Sequence, residues 1–398
     1  MRINISDPQL FVDDPYPSYT WLRENAPLYR DEDTGVWVVS RHEDVVQVSK
    51  DSETWSALPS VLADADHPIS IICMDNPRHQ RLRNLVNRGF TPRMVARLEP
   101  RVRELMKTCL ERIPQEGSFD LVTSISVPIP LYIIAEMIGI PERDFERFHT
   151  WSDDLIGVAG GFNDPSVVAR ASKAYVEYGN YLKSIFEDRR ANPQADLVSI
   201  LVTAQDDGDL SSEQEAMGND ELLMFMTLLL VAGNETTRNA ISGGMEALLR
   251  NPDQRDLLLA HPQYLEPAVE EILRFVSPVI CFRRNATRDT ELCGQRISKG
   301  EKVVMLYQSA NRDPRVFDHP ERFDITRQPN PHVAFGVGNH FCLGANLARM
   351  EIRVVLEELM TRFPDLALAP GREPERMAST LVRGIRSMRV GSSRRVAA

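Results

Sequence analysis

The segment FGVGNHFCLG at residues 335–344 constrains this chain more than any other. Gly336 and Gly338 allow backbone bends that a side chain would oppose, and Cys342 stands just before a helix predicted over 344–362. The first turn of a helix presents unpaired N–H groups and a positive dipole, which favour a thiolate. A lone cysteine is more often a small buried apolar residue. In this context, without companion ligands at metal spacing, Cys342 is interpreted instead as the axial ligand of a large preformed metal cofactor.

The composition is that of a globular protein and excludes several classes of function. Of the 398 residues, 42% are apolar and 26% are charged, which rules out a disordered or collagen-like chain. The formal net charge of −11 argues against general nucleic-acid binding and against attraction to an anionic membrane surface. Five widely spaced cysteines without a CxxC pair argue against a disulfide scaffold and a structural zinc site, and they favour a reducing compartment. Because the uncharged stretches 121–135 and 222–234 are too short to span a bilayer and the N-terminus has no apolar signal segment, a cytoplasmic protein is expected.

Helical periodicity dominates the chain, and the predicted strands are few and clustered. Strands are predicted at 36–40 and within 278–306, with 303–307 the clearest, and a segment over 308–340 is irregular. Helices are predicted over 78–113, 144–190 with a break near 160–165, 219–250, 264–275 and 344–362. The expected fold class is therefore mainly α with small β-sheets (α+β), without an internal repeat or a linker.

The cysteine segment fits the haem-binding signature F-G-x-G-x-[HR]-x-C-x-G, so the chain resembles the cytochrome P450 superfamily, in particular bacterial, actinomycete-type members. The resemblance implies a single triangular domain over residues 1–398, with haem b between the central long helix and the helix that follows the cysteine. It also implies that Cys342 binds the haem iron and that Phe335, Gly336 and Gly344 shape the loop around it.

The segment AGNETT at 232–237, in the long central helix, places an acid and a hydroxyl side by side. A threonine inside a helix can donate its hydroxyl to the carbonyl four residues back, here from Thr236 to Ala232, and the adjacent glycine would ease a local bulge. Glu235 and Thr236 could instead form an exposed helix face, although the uncharged run 222–232 makes this less favourable. The motif resembles the family's oxygen-activation sequence [AG]-G-x-[DE]-T. The resemblance implies that Ala232 lies against the haem, Thr236 stabilises bound oxygen and Glu235 delivers protons.

Glu271 and Arg274 match the family's E-x-x-R motif. A pair at i and i+3 lies on one helix face, and in isolation it is commonly a surface salt bridge worth under ~1 kcal/mol. By resemblance this pair is buried and joined by Arg322 from the PERF segment at 320–323. The three residues would then hold the meander that positions Cys342.

Haem carries two propionates, whose burial requires cationic or hydrogen-bonding partners. The resemblance implies this role for five residues. Each arginine could instead be exposed to solvent, and each histidine could instead form its hydrogen bonds within a loop. The five candidates are His79, Arg83, Arg284, His332 and His340.

The resemblance implies monooxygenation, in which one atom of O2 enters the substrate and the other leaves as water. The chain is too short to include a flavin domain as well, so electrons are expected from a ferredoxin or flavodoxin with an NAD(P)H-dependent reductase. Residues 78–103 hold eight arginines against one acid, Glu99, which indicates either a docking patch for such an acidic partner or a solvated helix face. The alternatives are a haem peroxygenase and a non-oxidative haem-binding protein, and the presence of Glu235 and Thr236 argues against both.

Eight apolar positions resemble pocket-lining segments of the family, although any of them could be ordinary core. A cavity with such walls would bind an apolar small molecule through burial of area, without ion pairs. Steroid or sterol, terpenoid and fatty-acid-like molecules all fit this description. The eight positions are Ile71, Ile72, Leu228, Val231, Ile280, Phe282, Leu381 and Val382.

Overall fold

The computed structural model describes residues 2–63, 66, 68–114, 117–157, 164–206 and 219–392. Within these ranges helices predominate and the strands are short, which confirms the α+β class. The helices are α1 Gln9–Val12, α2 Tyr16–Asn25, α3 His42–Lys50, α4 Arg78–Val86, α5 Pro92–Arg112, α6 Pro128–Ile138, α7 Phe145–Gly157, α8 Pro165–Ala191, α9 Leu197–Asp206, α10 Asn219–Arg250, α11 Pro252–Ala260, α12 Leu265–Val276, α13 Tyr307–Ala310 and α14 Ala345–Arg362. The strands are β1 Leu28–Arg30, β2 Trp37–Val39, β3 Trp55–Ser56, β4 Ser118–Asp120, β5 Cys281–Ala286, β6 Thr290–Leu292, β7 Gln295–Ile297, β8 Lys302–Leu306, β9 Ala367–Leu368, β10 Glu375–Arg376, β11 Ile385–Ser387 and β12 Arg389–Gly391.

The largest sheet has five strands in the order β1-β2-β8-β5-β3. Strands β2 and β8 are parallel, with Val38 opposite Val304, and the other pairs are antiparallel. Val303 and Met305 pack into one apolar cluster, while Val38 and Val304 pack into another on the opposite face. Burial on both faces explains why these strands are continuous apolar runs in the sequence. The three smaller sheets are β4-β12-β9, β10-β11 and β6-β7.

Helix α10 is the central helix of the molecule. Its apolar first half is buried, including Leu222, Phe225, Met226 and Leu230, and the helix packs against α6, α12 and α14. A helix enclosed in this way has little polar face, which is what the uncharged run in the sequence indicated. No helix within the described ranges combines the length and the apolar character that crossing a membrane requires.

A buried ion pair joins α12 to the irregular segment that leads to the cysteine. The side chains of Glu271 and Arg274 are fully buried and pair at 2.7 Å. Arg274 also donates to the backbone carbonyls of Asn311, Pro320 and Arg322 at 2.9, 2.8 and 3.0 Å. The pair is therefore a connecting element of the core, and the surface salt-bridge alternative is wrong.

The second cation of this network is Arg327, which corrects the expectation for Arg322. Arg327 Nε lies 3.1 Å from Glu271 Oε2, whereas Arg322 is exposed and contributes its backbone carbonyl to Arg274. The meander has no regular period, so its sequence does not indicate which arginine turns inward.

Replacing Arg327 with alanine is expected to lower the free energy of unfolding by about 2 kcal/mol, because a charge-assisted hydrogen bond to a buried group contributes roughly 1.5–3 kcal/mol. The matched change Arg322→Ala should stay within ~0.5 kcal/mol of the parent, as surface substitutions usually do. Urea denaturation of the haem-loaded protein measures both. Equal losses in the two variants would contradict the assignment.

Candidate active site

The cysteine segment forms a tight loop before α14. Gly336 and Gly338 have φ angles of 66° and 76°, in the left-handed region that favours glycine. A Cβ atom at Gly338 would lie 2.7 Å from the backbone oxygen of Ser49 in α3, so the loop packs closely against that helix. The Cys342 N–H donates to the Phe335 carbonyl at 2.9 Å. This bond closes the loop and holds Cys342 at the wall of an internal cavity.

The cavity lies between this loop and α10. Within the described ranges, no three His, Cys, Asp or Glu side chains cluster as a metal site. A metal ion beside Cys342 would therefore have to bring most of its ligands with it, as a porphyrin does. The walls include the predicted residues Ala232, Thr236, Phe335, Gly336, Cys342 and Gly344.

The sulfur of Cys342 is in an environment that opposes its charge. Burial raises the pKa of the thiol, and the backbone N–H of Gly344 and the charges of Arg83 and Arg349 offset this effect in part. Arg83 also lines the cavity and donates to the Phe341 carbonyl. The helix N-terminus was expected to favour the thiolate, but burial outweighs it. A deprotonated sulfur here requires a further positive charge, such as a metal ion, beside it.

The same cavity holds nitrogen groups that lack an anion. The rings of His79 and His340 are 4.0 Å apart, and His79 Nδ1 is buried without a hydrogen-bond partner. Burial and nearby positive charge lower the pKa of His79 to about 4 and that of His340 to about 2. Arg284 is 5% exposed and donates to a backbone carbonyl at 2.8 Å, with no carboxylate bonded to it in the described part of the chain. These residues fit an anionic group such as a propionate.

The acid and hydroxyl of AGNETT lie beside the cavities. Thr236 Oγ1 donates to the Ala232 carbonyl at 2.7 Å, as the sequence predicts, and α10 runs unbroken through this turn. Glu235 is 4% exposed, so an exposed helix face is the wrong interpretation for this residue. Burial raises the pKa of Glu235, and Arg238 and Asn239 oppose that shift.

A second cavity, of about 910 Å³, adjoins the first at Ala232 and Thr236, which line both. Its volume lies at the upper end of the ~300–1,000 Å³ typical of small-molecule sites. Ile71 lines the first cavity, and Ile72 lines both. The other predicted positions found on the walls of the larger cavity are Leu228, Val231, Phe282, Leu381 and Val382.

Comparison with known protein families identifies the family of the chain that forms these two cavities. The family model for cytochrome P450 matches residues 27–260 and 254–390 of the chain. The chain belongs to the cytochrome P450 family. The sequence resemblance is thereby confirmed, and the cysteine loop and the AGNETT turn lie where they share one cavity.

Relatives of this cytochrome P450 share more than a third of its residues. It is 39% identical to the putative cytochrome P450 YjiB of Bacillus subtilis over 380 residues, and the aligned region covers 94% of this chain and 93% of that protein. It is 41% identical over 371 residues to the methyl-branched lipid omega-hydroxylase of Mycobacterium tuberculosis, covering 89% and 84% of the two chains. It is 38% identical over 375 residues to the steroid C26-monooxygenase of the same organism, covering 94% and 92%.

Solved structures support the fold over nearly the whole chain. The crystal structure of CYP109B1 from Bacillus subtilis superimposes with a TM-score of 0.86 at 38% identity, covering 96% of this chain and 100% of that one. CYP109E1 from Bacillus megaterium, in complex with testosterone, gives 0.87 at 33% identity, with coverage of 96% and 100%. This cytochrome P450 is a haem-dependent monooxygenase that uses O2 to oxidise apolar small molecules.

The structure places His332 outside the cavities, which corrects its expected role as a propionate partner. His332 Nε2 lies 3.0 Å from Glu270 Oε2, and Arg349 Nε lies 2.6 Å from the other oxygen of the same carboxylate. Although burial opposes the shift, these two partners lower the pKa of Glu270 to about 2. The imidazole is therefore held by α12 and faces a carboxylate of the protein itself.

Ile280 is likewise a core residue and does not line the substrate cavity. It is fully buried in the cluster that contains Val38, Val304 and Leu306, while its neighbour Val279 lines both cavities. Neighbouring side chains on an extended chain point to opposite faces. A prediction that is displaced by one residue therefore names a core residue in place of a residue that lines the cavity.

Several lining residues were missed by the sequence analysis. Tyr307 lines the first cavity, the one beside Cys342, and burial raises the pKa of Tyr307 to about 12. Asp153, Arg238 and Arg386 add charged groups to the larger cavity, for which only apolar positions had been named from the sequence. Arg238 could have been found, because it lies three residues after Glu235 on the same helix face. The other charged residues come from distant segments and carry no local signal.

The two histidines are expected to make the haem-free protein less stable in acid. Unfolded histidine binds a proton below about pH 6.5, whereas the folded pKa values are about 4 for His79 and about 2 for His340. Stability is thus retained above pH 6.5 and falls as the pH is lowered towards 4. Urea denaturation across this range should show a smaller slope for His340→Gln and an unchanged slope for the exposed control His319→Gln. A parental slope in His340→Gln would be inconsistent with this account.

Proposed function

We propose that this cytochrome P450 holds haem b in the cavity between α10 and the cysteine loop, with Cys342 on the iron and His79, Arg83, Arg284 and His340 on the propionates. The observation that carries the proposal is that one cavity is lined by a cysteine sulfur, the arginines Arg83 and Arg284, and the buried rings of His79 and His340. An iron porphyrin with two propionates supplies the positive charge that the sulfur needs and the negative charge that the side chains need.

The remaining lining residues have roles in contact with the porphyrin. Ala232 is assigned to the face towards α10, and Phe335, Gly336 and Gly344 to the face towards the cysteine loop. When bound, haem supplies the two-electron activation of O2, with a thiolate ligand that favours O–O cleavage. The protein supplies orientation, a water-poor cavity and protons.

Thr236 and Glu235 are assigned to proton delivery. The Thr236 hydroxyl donates to Ala232, which leaves its oxygen lone pairs directed away from that bond and able to accept a proton. Glu235 is the adjacent residue and is buried, with its pKa raised by burial. Raising the pKa of a carboxyl group favours its protonated form, which is the form that can donate a proton. This pair favours the route driven by electrons over direct use of peroxide.

The substrate is proposed to be a steroid or sterol, a terpenoid or a fatty-acid-like molecule. The cavity of about 910 Å³ is large enough for such a ligand, and its walls are mainly apolar. Two of the relatives are named for a steroid and for methyl-branched lipids. Titration of these ligands into the ferric protein, followed by the haem spin-state shift, ranks the classes.

The electron donor is proposed to be a ferredoxin or flavodoxin with an NAD(P)H-dependent reductase. The eight arginines of residues 78–103 do not form one patch, since Arg101 pairs with Glu136 and Arg103 with Glu357. These two glutamates lie far from the arginines in the sequence. Counting only the charges within residues 78–103 therefore overestimated the positive charge of this surface. The narrower docking surface consists of the exposed residues Arg93 and Arg97, whose charge would attract an acidic protein.

Replacing Cys342 with serine is expected to abolish the absorption spectrum of a thiolate-ligated haem in the reduced, carbon monoxide-bound protein. A neutral hydroxyl is a far weaker donor than a thiolate. The exposed Cys293→Ser is the matched control and should keep the parental spectrum, while circular dichroism checks that both variants fold. A parental spectrum in Cys342→Ser would overturn the ligand assignment.

Replacing Thr236 with alanine is expected to reduce coupling more than turnover. NADPH and O2 should still be consumed, but most of the electrons should appear as hydrogen peroxide because the hydroxyl no longer relays protons. Thr150→Ala is the control, since the Thr150 hydroxyl in α7 donates to the Glu146 carbonyl at 3.1 Å in the same way, away from both cavities. The product formed per NADPH oxidised measures the effect, and equal coupling in both variants would refute the relay.

A further inference from the structure

The carboxylate of Glu270 in α12 binds two side chains that flank the cysteine loop. Glu270 Oε1 accepts a hydrogen bond from Arg349 Nε at 2.6 Å, and Glu270 Oε2 accepts one from Arg349 Nη2 at 3.0 Å. His332 Nε2 lies 3.0 Å from Glu270 Oε2. We call these three residues the Glu270 triad. Because His332 precedes the loop and Arg349 follows it in α14, the triad joins both ends of the loop to α12.

The backbone determines which nitrogen of His332 carries the hydrogen atom. The backbone N–H of Ala334 can only donate, and it lies 3.3 Å from His332 Nδ1, so Nδ1 is the acceptor. A neutral imidazole then has its hydrogen on Nε2, which donates to Glu270. All hydrogen bonds of the triad are thus formed with a neutral His332, and its two charges are those of Glu270 and Arg349.

The guanidinium group of Arg349 packs on the cysteine loop. Its Cζ atom lies 4.6 Å from the centre of the Phe335 ring, within the range of a cation–π contact. Phe335 lines the cavity beside Cys342, and its carbonyl accepts the Cys342 N–H at 2.9 Å. Burial raises the pKa of the Cys342 thiol, and the charge of Arg349 is among the effects that lower it. Arg349 therefore contacts the residue that closes the loop, and its charge acts on the sulfur.

We propose that Arg349, held in place by Glu270 and His332, is a positioning residue that fixes Phe335 in the cysteine loop and stabilises the electron-rich sulfur of Cys342. The proposal deepens the function proposed above and rests on Cys342 being the iron ligand. A guanidinium bonded through two nitrogens to one carboxylate has a defined orientation. Groups that surround the ligands of a metal in this way set its reduction potential.

The two charges of the triad have opposite effects on the reduction potential. Reduction of the ferric protein adds one electron, which a positive charge near the sulfur stabilises. The side chains of Arg349 and Glu270 are 33% and 32% exposed, so water and salt screen their charges only in part. Loss of the Arg349 charge should therefore lower the potential, and loss of the Glu270 charge should raise it. A loop that is merely loosened would not give opposite signs in the two variants.

The test is a spectroelectrochemical titration of the haem-loaded protein without substrate. In Arg349→Met the equilibrium should shift towards the ferric form by about tenfold, which corresponds to ~59 mV for one electron. Arg349→Lys keeps the charge, so its potential should return towards the parental value. Glu270→Gln should shift the potential in the opposite direction to Arg349→Met. Arg353→Met is the matched control and should keep the parental potential, because Arg353 lies one turn further along α14 and pairs with Glu99 at 2.5 Å.

The spectrum of the reduced, carbon monoxide-bound protein separates this proposal from the proposed function. A thiolate spectrum with a parental potential in Arg349→Met overturns the role of the triad and leaves the ligand assignment intact. A potential that is unchanged or lower in Glu270→Gln overturns the role of the triad as well, and this result decides the matter if Arg349→Met does not retain haem. A parental spectrum in Cys342→Ser overturns the proposed function, whatever the potentials of the other variants.

Discussion

The position of Cys342 depends on a buried charged network that does not touch either cavity. Glu271, Arg274 and Arg327 share hydrogen bonds in the core, and Arg274 also holds three backbone carbonyls of the meander. An irregular segment cannot satisfy its carbonyls through a helix or a strand ladder, and buried carbonyls require partners. The guanidinium group of Arg274 provides these hydrogen bonds instead. The cysteine loop that follows therefore reaches α10 at a defined position. Removing one ion of such a network is costly because it leaves the others buried and unpaired.

The two buried charged sites next to α10 differ in how their charges are balanced. At the haem cavity, a sulfur whose ionisation is opposed by burial faces His79, His340 and Arg284, which have no anion. A cofactor with a metal centre and two carboxylates would satisfy both sides. The cluster around Glu235 contains its own cation in Arg238 and needs no cofactor. The two sites therefore differ in whether the protein itself supplies the charge that balances the buried group.

Elements with strong periodicity were predicted well from the sequence. Helix α10 has the predicted bounds, and α12 and α14 begin one residue later than predicted, because an apolar stripe that faces a core repeats with the helical period. The predictions failed where no period exists. Arg322 was named in place of Arg327, His332 proved to pair with Glu270, and Ile280 proved to be core. For Arg322 and Ile280, a displacement of five residues and of one residue separated the predicted position from the observed one.

The sequence by itself determined the family, the cysteine loop and the acid–hydroxyl turn, because each is a contiguous motif whose chemistry depends on residues a few positions apart. The tertiary structure alone decided which cations face the haem cavity and which are paired elsewhere. Arg101 and Arg103 belong to an arginine-rich stretch, yet Glu136 and Glu357 from distant helices pair with them. Such pairings depend on the path of the irregular segments and on which charged groups are buried next to each other. These are properties of distant segments brought into contact, and no local pattern contains them.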